Sequence, residues 1–140
     1  MLFRSTIRGM LEHYIELNEA KDWLGYSKLF AKDGELVMRT GTLKGPEAIH
    51  TEMEKNFGKD KIAPGSFLLR ASHLLSNVQV SVNGDTATAV SRLTLLVPGE
   101  KDVPTVSQAG KYRDQLVREN GEWKFKQRVI VADMPSADRE

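Results

Sequence analysis

The sequence predicts an α+β domain, with helices gathered toward its N-terminal end and a mainly antiparallel sheet toward its C-terminal end. Two observations carry this. Apolar residues recur at helical spacing in three separate stretches before residue 58. Beyond residue 70 the pattern turns to long Val- and Leu-rich runs broken by Asn83-Gly84 and Asn120-Gly121. Asn-Gly between apolar runs is a strong hairpin signal, because both residues tolerate the positive φ a tight turn demands.

Ile7, Met10, Leu11, Tyr14 and Leu17 stripe one face of a helix expected over residues 6–20, with Ser5 as its N-cap. Asp22 caps a second helix that carries Trp23, Tyr26, Leu29 and Phe30, and Lys32-Asp33-Gly34 ends it. Residues 35–40 read as a short strand and residues 41–45 as a turn. Pro46 suits the first position of a third helix, striped by Ile49, Met53 and Phe57 and stopped at Gly58. After a loop, residues 67–69 start a long strand that carries His73 and runs to Val82. Further strands are expected over 86–97, 106–118 and 122–132, with residues 135–140 a flexible polar tail beyond a single domain of residues 1–134. A strongly curved sheet with helices across its concave face would leave a cavity between them, and such a cavity is the default ligand site.

Composition narrows the function classes. A chain of 140 residues suits one core, and 40% hydrophobic with 28% charged residues is ordinary for a globular protein. A net charge of +1 gives no push toward nucleic acid or an anionic membrane. No apolar run reaches spanning length and the first residues turn polar too soon for a signal peptide. The absence of cysteine excludes disulfides, thiolate metal sites and a Cys nucleophile, and leans to the cytoplasm. His50 and Glu54 stand four apart on the third helix, but without a third ligand no metal site is expected. Neither a phosphate-binding glycine loop nor a Gly-x-Ser-x-Gly elbow occurs, so nucleotide-dependent and serine-hydrolase chemistry are disfavoured.

Glu19-Ala20-Lys21-Asp22-Trp23, Leu29-Phe30-Ala31-Lys32-Asp33-Gly34 and Leu43-Lys44-Gly45-Pro46-Glu47-Ala48-Ile49 resemble the SnoaL-like polyketide cyclases. His73-Leu74-Leu75-Ser76-Asn77-Val78, Gly110-Lys111-Tyr112-Arg113-Asp114 and Trp123-Lys124-Phe125-Lys126-Gln127-Arg128 extend the resemblance over nearly the whole chain. That family lies in the nuclear transport factor two superfamily, so the resemblance implies a cystatin-like, cone-shaped barrel with three helices over the concave face of the sheet. Two branches are similar. Scytalone dehydratase-like lyases and isomerases work without a cofactor on hydrophobic cyclic molecules, using a strand histidine oriented by a carboxylate at the end of the first helix. The β subunits of aromatic-ring-hydroxylating dioxygenases share the His-Leu-x-Ser-Asn-Val and Trp-x-x-x-x-Arg patterns and are mainly structural. The shortness of this chain and its Lys-Gly-Pro-Glu-Ala-Ile stretch favour the first branch. The resemblance also implies a homodimer or higher homo-oligomer.

Carried over, the resemblance makes His73 the base and Glu19 its partner, in place of the family's aspartate and one methylene longer. The chemistry is sound: elimination or isomerisation needs a base near neutral pKa over a C–H bond and a donor for the developing charge. A carboxylate on the second ring nitrogen fixes the tautomer and stabilises the imidazolium. Asn18 and Asp22 remain alternative partners for His73. Tyr14, on the same helix as Glu19, is the candidate donor. Asn18, Trp23, Phe30, Met38 and Phe57 are candidates for the pocket wall. Tyr112 and Asp114 share one parity of their strand; if it is the concave one, both face the pocket and Asp114 is a second acid/base candidate.

Overall fold

A computed structural model describes residues 2–134, so the expected tail at 135–140 lies outside the described residues. Three α-helices pack on one six-stranded sheet, in the order α1 (Leu2–Ala20), α2 (Trp23–Ser27), β1 (Phe30–Met38), β2 (Gly41–Lys44), α3 (Pro46–Phe57), β3 (Ser72–Asn83), β4 (Thr86–Pro98), β5 (Pro104–Glu119) and β6 (Glu122–Ala132). The sheet order is β2-β1-β6-β5-β4-β3, antiparallel except where β1 runs parallel to β6. The α+β barrel architecture is therefore the observed one.

Five local expectations are corrected. Helix α1 starts at Leu2, so Ser5 is an internal residue, and the Thr6 hydroxyl donates back to the Leu2 carbonyl at 3.0 Å. Helix α2 is only five residues long, and Phe30 opens β1 instead of continuing it. The reason is tertiary: the Phe125 amide donates to the Leu29 carbonyl at 2.8 Å, and Phe30 pairs with Phe125 across the parallel ladder. Lys32-Asp33-Gly34 then lies within β1, where the ladder is irregular between Phe30 and Glu35. A Cβ at position 34 would stand 2.5 Å from the Phe125 carbonyl oxygen, so only glycine admits this close approach. Residues 41–44, expected as a turn, are strand β2, and Phe67–Leu69 is a 3-10 turn before β3.

Other signals act as expected. The Asp22 carboxylate accepts from the Gly25 amide at 2.9 Å, Pro46 opens α3, and the Gly58 amide closes it on the Glu54 carbonyl. Burial alternates along β4 and β5, which places one face of the sheet on the helices. Between the layers lie Ile7, Leu11, Ile49, Leu93, Leu116 and Phe125, all at most 5% exposed. On the opposite face Leu74, Val90 and Val106 stay exposed.

Candidate active site

The layers do not meet everywhere. A cavity of about 370 Å³ opens between α1, α2, α3 and the buried sheet face, within the range of small-molecule sites. Its interior is largely apolar: Trp23 and Tyr26 come from α2, Met53 and Phe57 from α3, and Leu93 and Ile130 from the sheet. Trp23 is pinned there because its indole N–H donates to the Phe57 carbonyl at 3.0 Å, tying α2 to the end of α3.

His73 borders this cavity from β3, the edge strand nearest α1. Glu19 reaches it from the last turn of α1. One carboxylate oxygen, Oε2, accepts from the His73 backbone amide at 2.6 Å and lies 3.2 Å from ring Nδ1. The two contacts fix both the strand and the ring, and the second meets the distance a histidine–carboxylate pair requires. The imidazole side chain is 15% exposed and the carboxylate 35%. A carboxylate at Nδ1 selects the tautomer protonated there and leaves Nε2 with its lone pair. The open question of the partner has a geometric answer: Asp22 is occupied in capping α2, while Asn18 lines the cavity without a bond to His73.

The carboxylate does not dominate the histidine's basicity. Burial lowers His73 below its ordinary value of 6.5, assisted by Lys21, against the raising effect of the Glu19 hydrogen bond and charge. The neutral base is therefore the form present at pH 7. Because the folded pKa lies below the unfolded one, protonation costs the folded state stability as pH falls from 6.5 through the lowered value. An NMR titration is expected to place the His73 midpoint below 6.5, and lower again in Glu19→Gln, where the raising partner is gone.

Tyr14 also lines the cavity, but its hydroxyl is hydrogen-bonded to that of Tyr26. Whichever oxygen donates, the other keeps its proton, and a hydroxyl that accepts one hydrogen bond is the stronger donor of the next. Burial raises the pKa of both phenols, with their proximity adding to Tyr14, so the pair stays protonated. It is a neutral donor at the cavity wall.

Met38, Phe57 and Tyr112 reach the cavity, as does Trp23; Phe30 and Asp114 do not. Phe30 is 2% exposed and packs on Phe125 and Tyr26 behind the wall, a consequence of its place in β1. Asp114 does lie on the buried sheet face, yet it is directed at Arg128 of β6, with Nε 2.9 Å from Oδ1 and Nη2 3.3 Å from Oδ2. Burial raises the Asp114 carboxyl, and the guanidinium opposes that rise. The Arg128 guanidinium itself stacks 3.6 Å from the Tyr112 ring centroid and 4.0 Å from that of Tyr14. This pair is a support under the aromatic wall, so Asp114 is not placed as a second acid/base. No cluster of three or more metal-type ligands occurs among the described residues.

Four polar lining residues escaped sequence reasoning: Lys21, Arg39, Thr40 and Gln108. Gln108 of β5 lies opposite Leu95 of β4, whose other neighbour is His73, a register that the sequence does not display. Lys21 had no signal either. It ends α1 with φ 59°, the Lys21 amide donating to Asn18 and the Asp22 amide to Leu17, a helix stop where glycine or asparagine is usual.

The model of the SnoaL-like domain matches residues 2–129. The chain belongs to the SnoaL-like family. Among solved structures, this SnoaL-like chain is similar to an NTF2-like protein with a cystatin-like fold from Novosphingobium aromaticivorans, at 25% identity and TM-score 0.80, covering 96% of this chain and 84% of that one. A protein from the same organism, provisionally assigned as a scytalone dehydratase, matches at 23% identity and TM-score 0.76 over 95% of this chain and 85% of its own. ActVI-ORFA from Streptomyces coelicolor matches at 21% identity and TM-score 0.75 over 94% and 98%. The last two likenesses are of fold. No curated protein matches the sequence. No helix among the described residues is long and apolar enough to cross a membrane.

Proposed function

We propose that this SnoaL-like protein is a cofactor-independent lyase or isomerase acting on a hydrophobic cyclic small molecule, with His73 as base. The observation that carries the reading is the Glu19 carboxylate 3.2 Å from His73 Nδ1 at the wall of an apolar cavity. In this reading Nε2 removes a proton from carbon next to a carbonyl. The Tyr14–Tyr26 pair donates to the carbonyl oxygen as it gains charge. The imidazolium, held by Glu19, then returns the proton to a departing β-hydroxyl, releasing water, or to another carbon, giving an isomer. The cysteine-free sequence suits a cytoplasmic enzyme, and the exposed Leu74, Val90 and Val106 of the outer sheet face suit a homodimer interface.

The test is a panel of cyclic β-hydroxy ketones in deuterated water, followed by enone absorbance and by deuterium at the α-carbon. Exchange or elimination in the wild type that disappears in His73→Gln supports the reading. Equal activity in that variant would sink it. Inactivity across the panel, with co-purification of a larger iron-containing oxygenase subunit, would instead support the structural β-subunit role.

A further inference from the structure

The rim of the cavity is charged in a way that its apolar interior does not require. Lys21 stands half-buried at the end of α1 and lines the cavity, its Nζ 5.7 Å from the centroid of the Trp23 ring. Burial lowers its ammonium below the ordinary value of 10.5, and the Glu19 charge opposes that change. Yet Glu19 is engaged by His73, and among the described residues no carboxylate lies within 4.0 Å of Lys21. Arg39, in the turn between β1 and β2, borders the same cavity and likewise makes no ion pair among the described residues. Asn18 and Gln108 add neutral hydrogen-bonding groups to the same lining.

A partly desolvated ammonium whose neighbour is an aromatic face and not a carboxylate has most to gain from an anion that arrives with its own apolar body. The backbone adds a reason to regard Lys21 as placed: it holds a positive φ at a helix stop where glycine would be unstrained. From this juxtaposition we propose that the ligand is a cyclic apolar molecule bearing a carboxylate, its rings in the cavity and its carboxylate anchored by Lys21 and Arg39. The proposal names the substrate class for the lyase or isomerase reading and rests on it for the word substrate, but not for binding.

Binding is therefore measured apart from turnover, by calorimetry with 2-naphthoate and with methyl 2-naphthoate, the same ring system without the charge. The wild type and His73→Gln are both titrated. In both, 2-naphthoate is expected to bind about tenfold more tightly than the ester, the advantage shrinking as salt rises. Lys21→Met with Arg39→Met should abolish the difference while ester affinity holds, and Lys21→Arg should largely keep it. Thermal melts confirm that each variant is folded. Equal affinities for acid and ester in the wild type, an unchanged preference in the double variant, or no binding of either probe would overturn the proposal. No turnover in the wild type, or unchanged turnover in His73→Gln, with the preference intact would strike the reaction assignment and leave the anchor standing.

Discussion

Asp114→Ala is expected to destabilise the fold by about 3–5 kcal/mol, the cost of leaving one member of a buried ion pair without its partner. Arg128 is 0% exposed and Asp114 3%, so the lost contacts lie away from bulk solvent. Arg128 already has one nitrogen, Nη1, without a hydrogen-bond partner, and losing the two bonds to Asp114 would strip the guanidinium of the rest. Stacking on Tyr14, Tyr112 and Phe125 remains, but aromatic faces do not replace a carboxylate. In a chain of this size the loss corresponds to a fall of roughly 10–20 °C in Tm. The reverse variant separates charge from packing. In Arg128→Met the buried Asp114 can take up a proton and become neutral, whereas an arginine cannot shed one. Arg128→Met should thus recover part of its loss as pH falls, and Asp114→Ala should not. Urea unfolding at pH 7 and pH 5 reads both. Equal losses at both pH values in the two variants would show that packing, not the unpaired charge, sets the cost.

That pair also marks the limit of what the chain displays before it folds. Strand parity correctly puts Tyr112 and Asp114 on one face, because a strand alternates whatever it pairs with. It does not reveal Arg128, which is set opposite Asp114 by the β5–β6 register, with an irregularity beginning just after Gln115. The hairpins were legible because the turn chemistry is local, but only the second turns on Asn-Gly: Asn120 and Gly121 take φ of 51° and 81° between the paired Glu119 and Glu122, whereas Asn83 stays in β3 opposite Thr86 and Gly84, at φ 63°, turns with Asp85. Phe30 was misread for the opposite reason. Trp23, Tyr26 and Phe30 have helical spacing, yet a parallel ladder to β6 captures the chain at Leu29 and ends the helix. Glu19 and His73 are 54 residues apart, and no local rule joins them; only the family resemblance placed them together. Lys21 carried no signal at all, because a lysine in a left-handed helix stop is the exception to the residue preference that would disclose it.

His73→Gln is expected to lower kcat by about 10²–10⁴-fold, the usual contribution of a positioned general base. Glutamine keeps a polar group of similar reach near Glu19 but offers no basic nitrogen at Nε2. The Glu19 variants should fall less, and in a defined order. Glu19→Gln retains an oxygen that can accept from the His73 amide and ring, now 2.6 Å and 3.2 Å from Oε2, and removes only the charge. Glu19→Ala removes the acceptor as well, freeing both strand and ring, so its kcat should lie below that of Glu19→Gln. Combined with His73→Gln, neither should cost much more, because a partner has nothing to act on once the base is gone. The pH profile supplies a signature that simple loosening of the site would not imitate. On the proposed mechanism the acidic limb of kcat/KM is expected to follow deprotonation of His73 in the free protein, below 6.5. Without the Glu19 charge that pKa moves further down, so the limb shifts to lower pH while the plateau rate falls, a weaker base being available over a wider range. A falling plateau with an unmoved limb would mean that Glu19 places the ring without tuning it.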